Sequence, residues 1–141
     1  MHTPNENLNS KIKNLENLFK EGNMNIVIPQ AIALIKEYNS GIACNILALA
    51  NKRLGNYVLA QSIYEGLLTS NPENTLFLGN LGNIYTEIGR LEKAEECYTK
   101  ALTIQPKQLN ISVSLGNILA STARLDDALV NFHTILKVHD E

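Results

Sequence analysis

Residues 75–108 read TLFLGNLGNIYTEIGRLEKAEECYTKALTIQPKQ, and this stretch decides the fold. Leu78, Leu81, Gly82 and Tyr85 stand at i, i+3, i+4 and i+7, one face of a helix. Gly89 breaks the pattern, as glycine does just past a helix end. Leu91, Ala94, Tyr98, Ala101 and Leu102 then mark a second helix, which stops at Gln105-Pro106 because the residue before proline is pushed out of the α region. Gly82, Ala94 and Ala101 are small enough for the two helices to lie antiparallel in close contact. Tyr85 and Tyr98 fill the space between layers.

Working outward, the same letters return every 34 residues. Gly55 pairs with Gly89, Ala60 with Ala94 and Ala128, Tyr64 with Tyr98 and Phe132, Leu47 with Leu81 and Leu115, and Pro72 with Pro106. A fixed period of this size marks a stack of supersecondary units. Three units follow, 41–74, 75–108 and 109–141. A degenerate unit over 8–39 precedes them, offset by 33: Gly22, Val27, Ala31, Leu34 and Asn39 lie before Gly55, Ala60, Tyr64, Leu67 and Pro72. Ile12, Leu15, Leu18 and Phe19 give its first helix an apolar stripe. Pro29 is out of place in a helix interior, so the second helix either starts near Val27 or is kinked at Pro29. The whole of 1–141 is expected to be one all-α domain, its first unit acting as a cap.

The repeats resemble the tetratricopeptide family. In the middle unit Leu78 takes the family's Trp position, followed by Leu81-Gly82, Tyr85, Ala94, Tyr98 and Pro106. The first full unit matches with Cys44, Leu47-Ala48, Asn51, Ala60, Tyr64 and Pro72. The last matches with Ser112, Leu115-Gly116, Leu119, Ala128 and Phe132. The resemblance implies a right-handed superhelix of antiparallel helix pairs, with a concave groove lined by the first helix of each pair. It therefore implies a scaffold that binds a protein or peptide. The groove stripes would be Ile42, Asn45, Leu49 and Lys52 with Ile46 and Arg53; Leu76, Gly79, Asn83 and Thr86 with Asn80 and Glu87; and Asn110, Val113, Asn117 and Ala120 with Ser114 and Ser121. The candidate peptide-binding residues are Asn45, Leu49, Lys52, Asn80, Asn83, Glu87, Asn110 and Asn117. An amide offers donors and an acceptor, which suits an extended peptide backbone. Replacing Asn83 and Asn117 by Ala is expected to weaken a partner and spare the fold.

Two family activities can be checked against the residues. The two-carboxylate clamp of co-chaperones needs Lys and Arg, but its positions here hold Asn45, Leu49, Asn83, Asn110 and Ser114, so only Asn83 fits. Of the asparagine ladder found in O-linked N-acetylglucosamine transferases, Asn80 is present while Ile46 and Ser114 stand in the other positions. The run Leu18-Phe19-Lys20-Glu21-Gly22, with Asn80-Leu81-Gly82-Asn83 and Ser114-Leu115-Gly116-Asn117, also resembles the repeat region preceding the catalytic domain in bacterial multidomain proteins. The alternative expectation is thus the recognition arm of a glycosyltransferase, methyltransferase or sulfotransferase.

Composition agrees with a binding module. The 141 residues are 45% hydrophobic and 18% charged, neither disordered nor membrane-embedded in character. A net charge of −2 argues against nucleic acid as partner, which needs a concentrated basic surface. The polar start Met1-His2-Thr3-Pro4-Asn5 has no apolar signal region, and Ile42–Ala50 is far too short to span a bilayer, so no membrane role and a cytoplasmic location are expected.

No enzymatic chemistry, cofactor or metal is expected. His133 and His139 are six apart, and His2 is remote from both in sequence. Cys44 and Cys97 are 53 apart, too few and too far for a disulfide framework, and Cys97 is a candidate exposed thiol. Phosphate-loop motifs are missing. Leu129, Phe132 and Leu136 form an apolar stripe on the last helix. They imply either homo-oligomerisation through that helix or a further helix from a longer protein lying on it.

Overall fold

The structure, a computed structural model, describes residues 4–140. These form eight helices: α1 (Pro4–Lys20), α2 (Met24–Tyr38), α3 (Gly41–Arg53), α4 (Tyr57–Ser70), α5 (Thr75–Glu87), α6 (Leu91–Ile104), α7 (Leu109–Ser121) and α8 (Leu125–His139). His2 and Glu141 lie outside the described residues. The first helices α3, α5 and α7 begin at 41, 75 and 109, and the second helices α4, α6 and α8 at 57, 91 and 125. Both series keep the 34-residue step of the sequence. No helix among the described residues is long and apolar enough to cross a membrane.

The turn inside each pair is the same four times over. Gly22, Gly55 and Gly89 take positive φ of 84°, 80° and 74°. The amides that follow reach five residues back: Asn23 to Leu18, Asn56 to Asn51 and Arg90 to Tyr85, all to backbone carbonyls. This is the Schellman ending, which needs one left-handed residue after the helix. The fourth turn has the same bond, Arg124 to Leu119, but its left-handed residue is Ala123, at φ 60°.

In the degenerate first pair α1 starts at Pro4, and α2 starts at Met24, three residues before Val27. Pro29 therefore lies inside α2, beyond its first turn. Proline cannot return a hydrogen bond to the Asn25 carbonyl. Both residues are exposed, so water can take that carbonyl.

The chain divides into two compact units, Met1–Leu67 and Leu68–Glu141. In the first, Ile12 and Leu15 of α1, Met24, Val27, Ala31 and Leu34 of α2, and Ala43, Ile46 and Ala50 of α3 make one core. Lys11 bridges α1 to α2, with its ammonium 3.1 Å from Glu37 and 3.3 Å from the Tyr38 hydroxyl. Arg53 closes the end of α1: its guanidinium donates to the Phe19 carbonyl at 2.9 Å and lies over the Phe19 ring at 5.3 Å.

In the second unit the helix pairs touch through missing side chains. A methyl group on Gly82 would fall 2.5 Å from the Tyr98 ring, and one on Gly116 would fall 2.5 Å from the Phe132 ring. Ala94, Ala101 and Ala128 are buried on the facing helices. The pair α5–α6 is closed at its open end by Thr75, which donates to the Gln105 side chain at 2.9 Å. Arg124 ties the fourth turn back to α6 through both Glu95 oxygens, at 2.8 and 2.9 Å, and also holds Asp127 at 2.8 Å.

Two stability changes follow. Ala123→Gly relieves a left-handed alanine and raises stability by about 1 kcal/mol, since that conformation costs an L-residue roughly 1–2 kcal/mol and glycine returns part of it as chain entropy. Gly82→Ala or Gly116→Ala overpacks its pair and costs about 1–3 kcal/mol. Urea midpoints at constant m-value measure both; an unshifted midpoint for Ala123→Gly would show that the turn carries no strain.

Candidate functional site

The candidate residues fall on the first-helix faces, three in one unit and five in the other. On α3, Asn45, Leu49 and Lys52 lie at i, i+4 and i+7, all half-buried. On α5, Asn80 and Asn83 are half-buried and Glu87 is exposed; on α7, Asn110 and Asn117 are exposed. α5 and α7 touch where the Ile111 side chain lies over Gly79, so Gly79 is a contact point between first helices and not an open groove position. Ile46 belongs to the core of the first unit, and Arg53 is engaged by Phe19. Lys52 is thereby the one cation of the proposed stripes without such a tie.

Each unit contains an asparagine held from behind by a tyrosine of the second helix. The Tyr98 hydroxyl donates to Asn83 Oδ1 at 2.7 Å, and the Tyr64 hydroxyl donates to Asn45 Oδ1 at 2.8 Å. Both tyrosine rings are buried. The two asparagines are not in equivalent places. Asn45 corresponds to Gly79 by the 34-residue step, and Asn83 corresponds to Leu49. The amide has moved by one helical turn between repeats, and the phenol reaches whichever position carries it. In the last repeat Asn117 keeps the position of Asn83, but Phe132 has no hydroxyl, and Asn117 is exposed.

Around Tyr98 the polar set is larger than the sequence reading had it. Thr86 lies 3.3 Å from the Tyr98 hydroxyl and donates to the Gly82 carbonyl at 3.0 Å. Ser114 of α7 is also within reach of that hydroxyl, while donating to the Asn110 carbonyl at 3.0 Å. Burial pushes the Tyr98 phenol above its usual pKa, with the hydrogen bonds to Thr86 and Ser114 opposing it. It therefore stays protonated at neutral pH and acts as a donor to Asn83. The second-helix tyrosines were readable as core residues. Their polar ends could have been found by asking where a buried phenol at 98 or 64 meets an amide on the facing helix.

The remaining chemistry-bearing residues are held in packing. Burial raises the Cys44 thiol, which leaves it a poor nucleophile; Cys44 and Cys97 are both half-buried, and neither is in a disulfide. Asn51, in the position of Tyr85, is buried, with its amide donating to the Leu47 carbonyl at 2.9 Å and accepting from Asn56 at 3.3 Å. Among the described residues no three His, Cys, Asp or Glu side chains converge on a metal-sized site.

Tyr98→Phe removes the hydroxyl and leaves Asn83, and the expected loss is about 0.5–1.5 kcal/mol, the ordinary net worth of one hydrogen bond. Asn83→Ala removes the acceptor of a buried phenol and is expected to cost as much or more, so it does not spare the fold. Thermal or urea unfolding of both variants checks this; two unchanged curves would show that the pair carries no stability.

The profile of the tetratricopeptide repeat matches residues 76–108. No curated protein matches the sequence. Solved structures match closely in shape. A crystal structure of MamA superposes with a TM-score of 0.84 at 22% identity, over 97% of this chain and 81% of that one. A tetratricopeptide repeat protein from Parabacteroides merdae ATCC 43184 gives 0.83 at 20% identity, over 95% of this chain and 54% of that one. The first TPR of Spaghetti (RPAP3), bound to the HSP90 peptide SRMEEVD, gives 0.76 at 18% identity, over 87% of this chain and 98% of that one. Residues 76–108 are a tetratricopeptide repeat by sequence, and the chain is all-α with the fold of tetratricopeptide-repeat proteins.

Proposed function

We propose that the chain is a protein- or peptide-binding scaffold of the cytoplasm, without a reaction of its own, whose ligand lies on the first-helix faces. The observation that carries this is the orientation of Asn83. With Oδ1 taken by Tyr98, the amide presents its Nδ2 donors on the face of α5. Those donors suit the carbonyls of an extended backbone. Exposed Asn110 and Asn117 on α7 add amides on the neighbouring first helix, and exposed Leu76 and Val113 add apolar contact. A solved neighbour of the same fold, the first TPR of Spaghetti, is bound to a peptide.

The ligand is recognised by backbone and apolar contacts and not by paired carboxylates. Of the clamp positions only Asn83 suits an acidic tail, and Leu49 stands where a second amide or cation would. Nucleic acid is disfavoured for the same reason, since Lys52 is the single available cation of the stripes.

A random peptide library displayed on phage and selected on the immobilised protein tests the reading. Asn110→Ala with Asn117→Ala leaves the Tyr98 bonds in place, so the variant folds normally. Selected peptides are expected to bind this double variant about tenfold or more weakly, the loss for leaving a ligand's polar groups unmet. Glu87→Lys is expected to change which peptides are enriched. Selection of no peptide, or equal binding to wild type and both variants, would remove the first-helix faces as the site.

A further inference from the structure

One side of α8 carries three exposed leucines in line. Leu125, Leu129 and Leu136 are 61%, 57% and 61% exposed, and they stand at i, i+4 and i+11 on one side of the helix. Phe132, expected to complete this stripe, turns inward and lays its ring against Gly116, so it is half-buried. Val130 is exposed beside them. Leucines at this spacing form the seam of a two-helix contact.

The charges flanking the seam differ at its two ends. Asp126 and Asp127 lie in the first turn of α8, and Lys137 and His139 in the last. Asp127 is engaged by Arg124, but Asp126 is exposed and makes no ion pair among the described residues, and Lys137 is exposed likewise. Helix polarity decides what such a face accepts. A parallel copy would set Asp126 against Asp126 and Lys137 against Lys137. An antiparallel copy sets Leu125 against the partner subunit's Leu136, and brings Leu129 opposite the position of the partner subunit's half-buried Phe132. In that register Asp126 comes within about 3 Å, along the helix axis, of the partner subunit's Lys137, at a rise of roughly 1.5 Å per residue. Arg124, the cation nearest Lys137 across such a pair, is already neutralised by Glu95 and Asp127.

We propose that α8 is a homodimerisation face, on which a second copy of the chain packs its own α8 antiparallel about a two-fold axis near residues 130 and 131. The contact is isologous: each seam leucine and each Asp126–Lys137 pair occurs twice. It uses a surface separate from the first-helix faces, so a dimer presents two copies of the candidate peptide site.

Sedimentation equilibrium of the purified chain over a concentration series tests this. The wild type is expected to show a reversible monomer–dimer equilibrium. Leu129→Glu with Leu136→Glu is expected to be monomeric with an unchanged far-ultraviolet dichroism spectrum. Asp126→Lys alone and Lys137→Asp alone are each expected to weaken dimerisation about fivefold or more, because each creates two like-charge contacts. The double exchange Asp126→Lys with Lys137→Asp is expected to restore it. A wild type that stays monomeric at millimolar concentration overturns the proposal, and would assign the face to a different protein or segment. A wild-type dimer indifferent to the charge exchanges, or single changes that the double exchange fails to rescue, overturns it as well. Because all four positions are on the surface, the charge series reads the contact even if the glutamate variant loses helix.

Discussion

The absence of a side chain at Gly82 governs the second unit. It lets one edge of the Tyr98 ring press on α5, at a distance no Cβ would tolerate. The ring's hydroxyl then comes beside Asn83 and Thr86 and finds both. The packing contact and the polar cluster are thus two ends of one side chain. A residue with a Cβ at 82 would push the ring away from α5, and the hydroxyl with it. The same contact recurs at Gly116 and Phe132 without the hydroxyl, so the third repeat keeps the packing and loses the cluster.

The turns impose a second regularity. Four Schellman endings of one geometry set the path from first to second helix in every pair, including the degenerate pair whose first helix shares little sequence with the others. Turn geometry has survived where side-chain identity has not. A left-handed residue costs little when it is glycine, and the turn buries nothing that could conflict with it.

Much of this was legible. The period of 34 was legible because glycine, the small helix-contact residues and the tyrosines all recur on it, and α3, α5 and α7 keep that step. Three things were not. The choice between a start of α2 near Val27 and a helix running through Pro29 depends on solvent exposure, which one sequence does not report. Gly79 and Ile46 were placed on an open face because a helical wheel distinguishes packing side from opposite side, and does not see the neighbouring first helix or a satellite core. The Tyr98–Asn83 and Tyr64–Asn45 bonds have sequence separations of 15 and 19, so they break the very period that located everything else.

The bond from Arg53 to the Phe19 carbonyl joins residues 34 apart, and that from Arg124 to Glu95 joins residues 29 apart. Each reaches only from one helix pair to the next. Closing loops of this length costs little entropy, and the cost grows slowly with separation. Contacts of such short range favour rapid folding. Order within each unit can therefore begin in whichever pair closes first and spread to the next, with no long-range register to search.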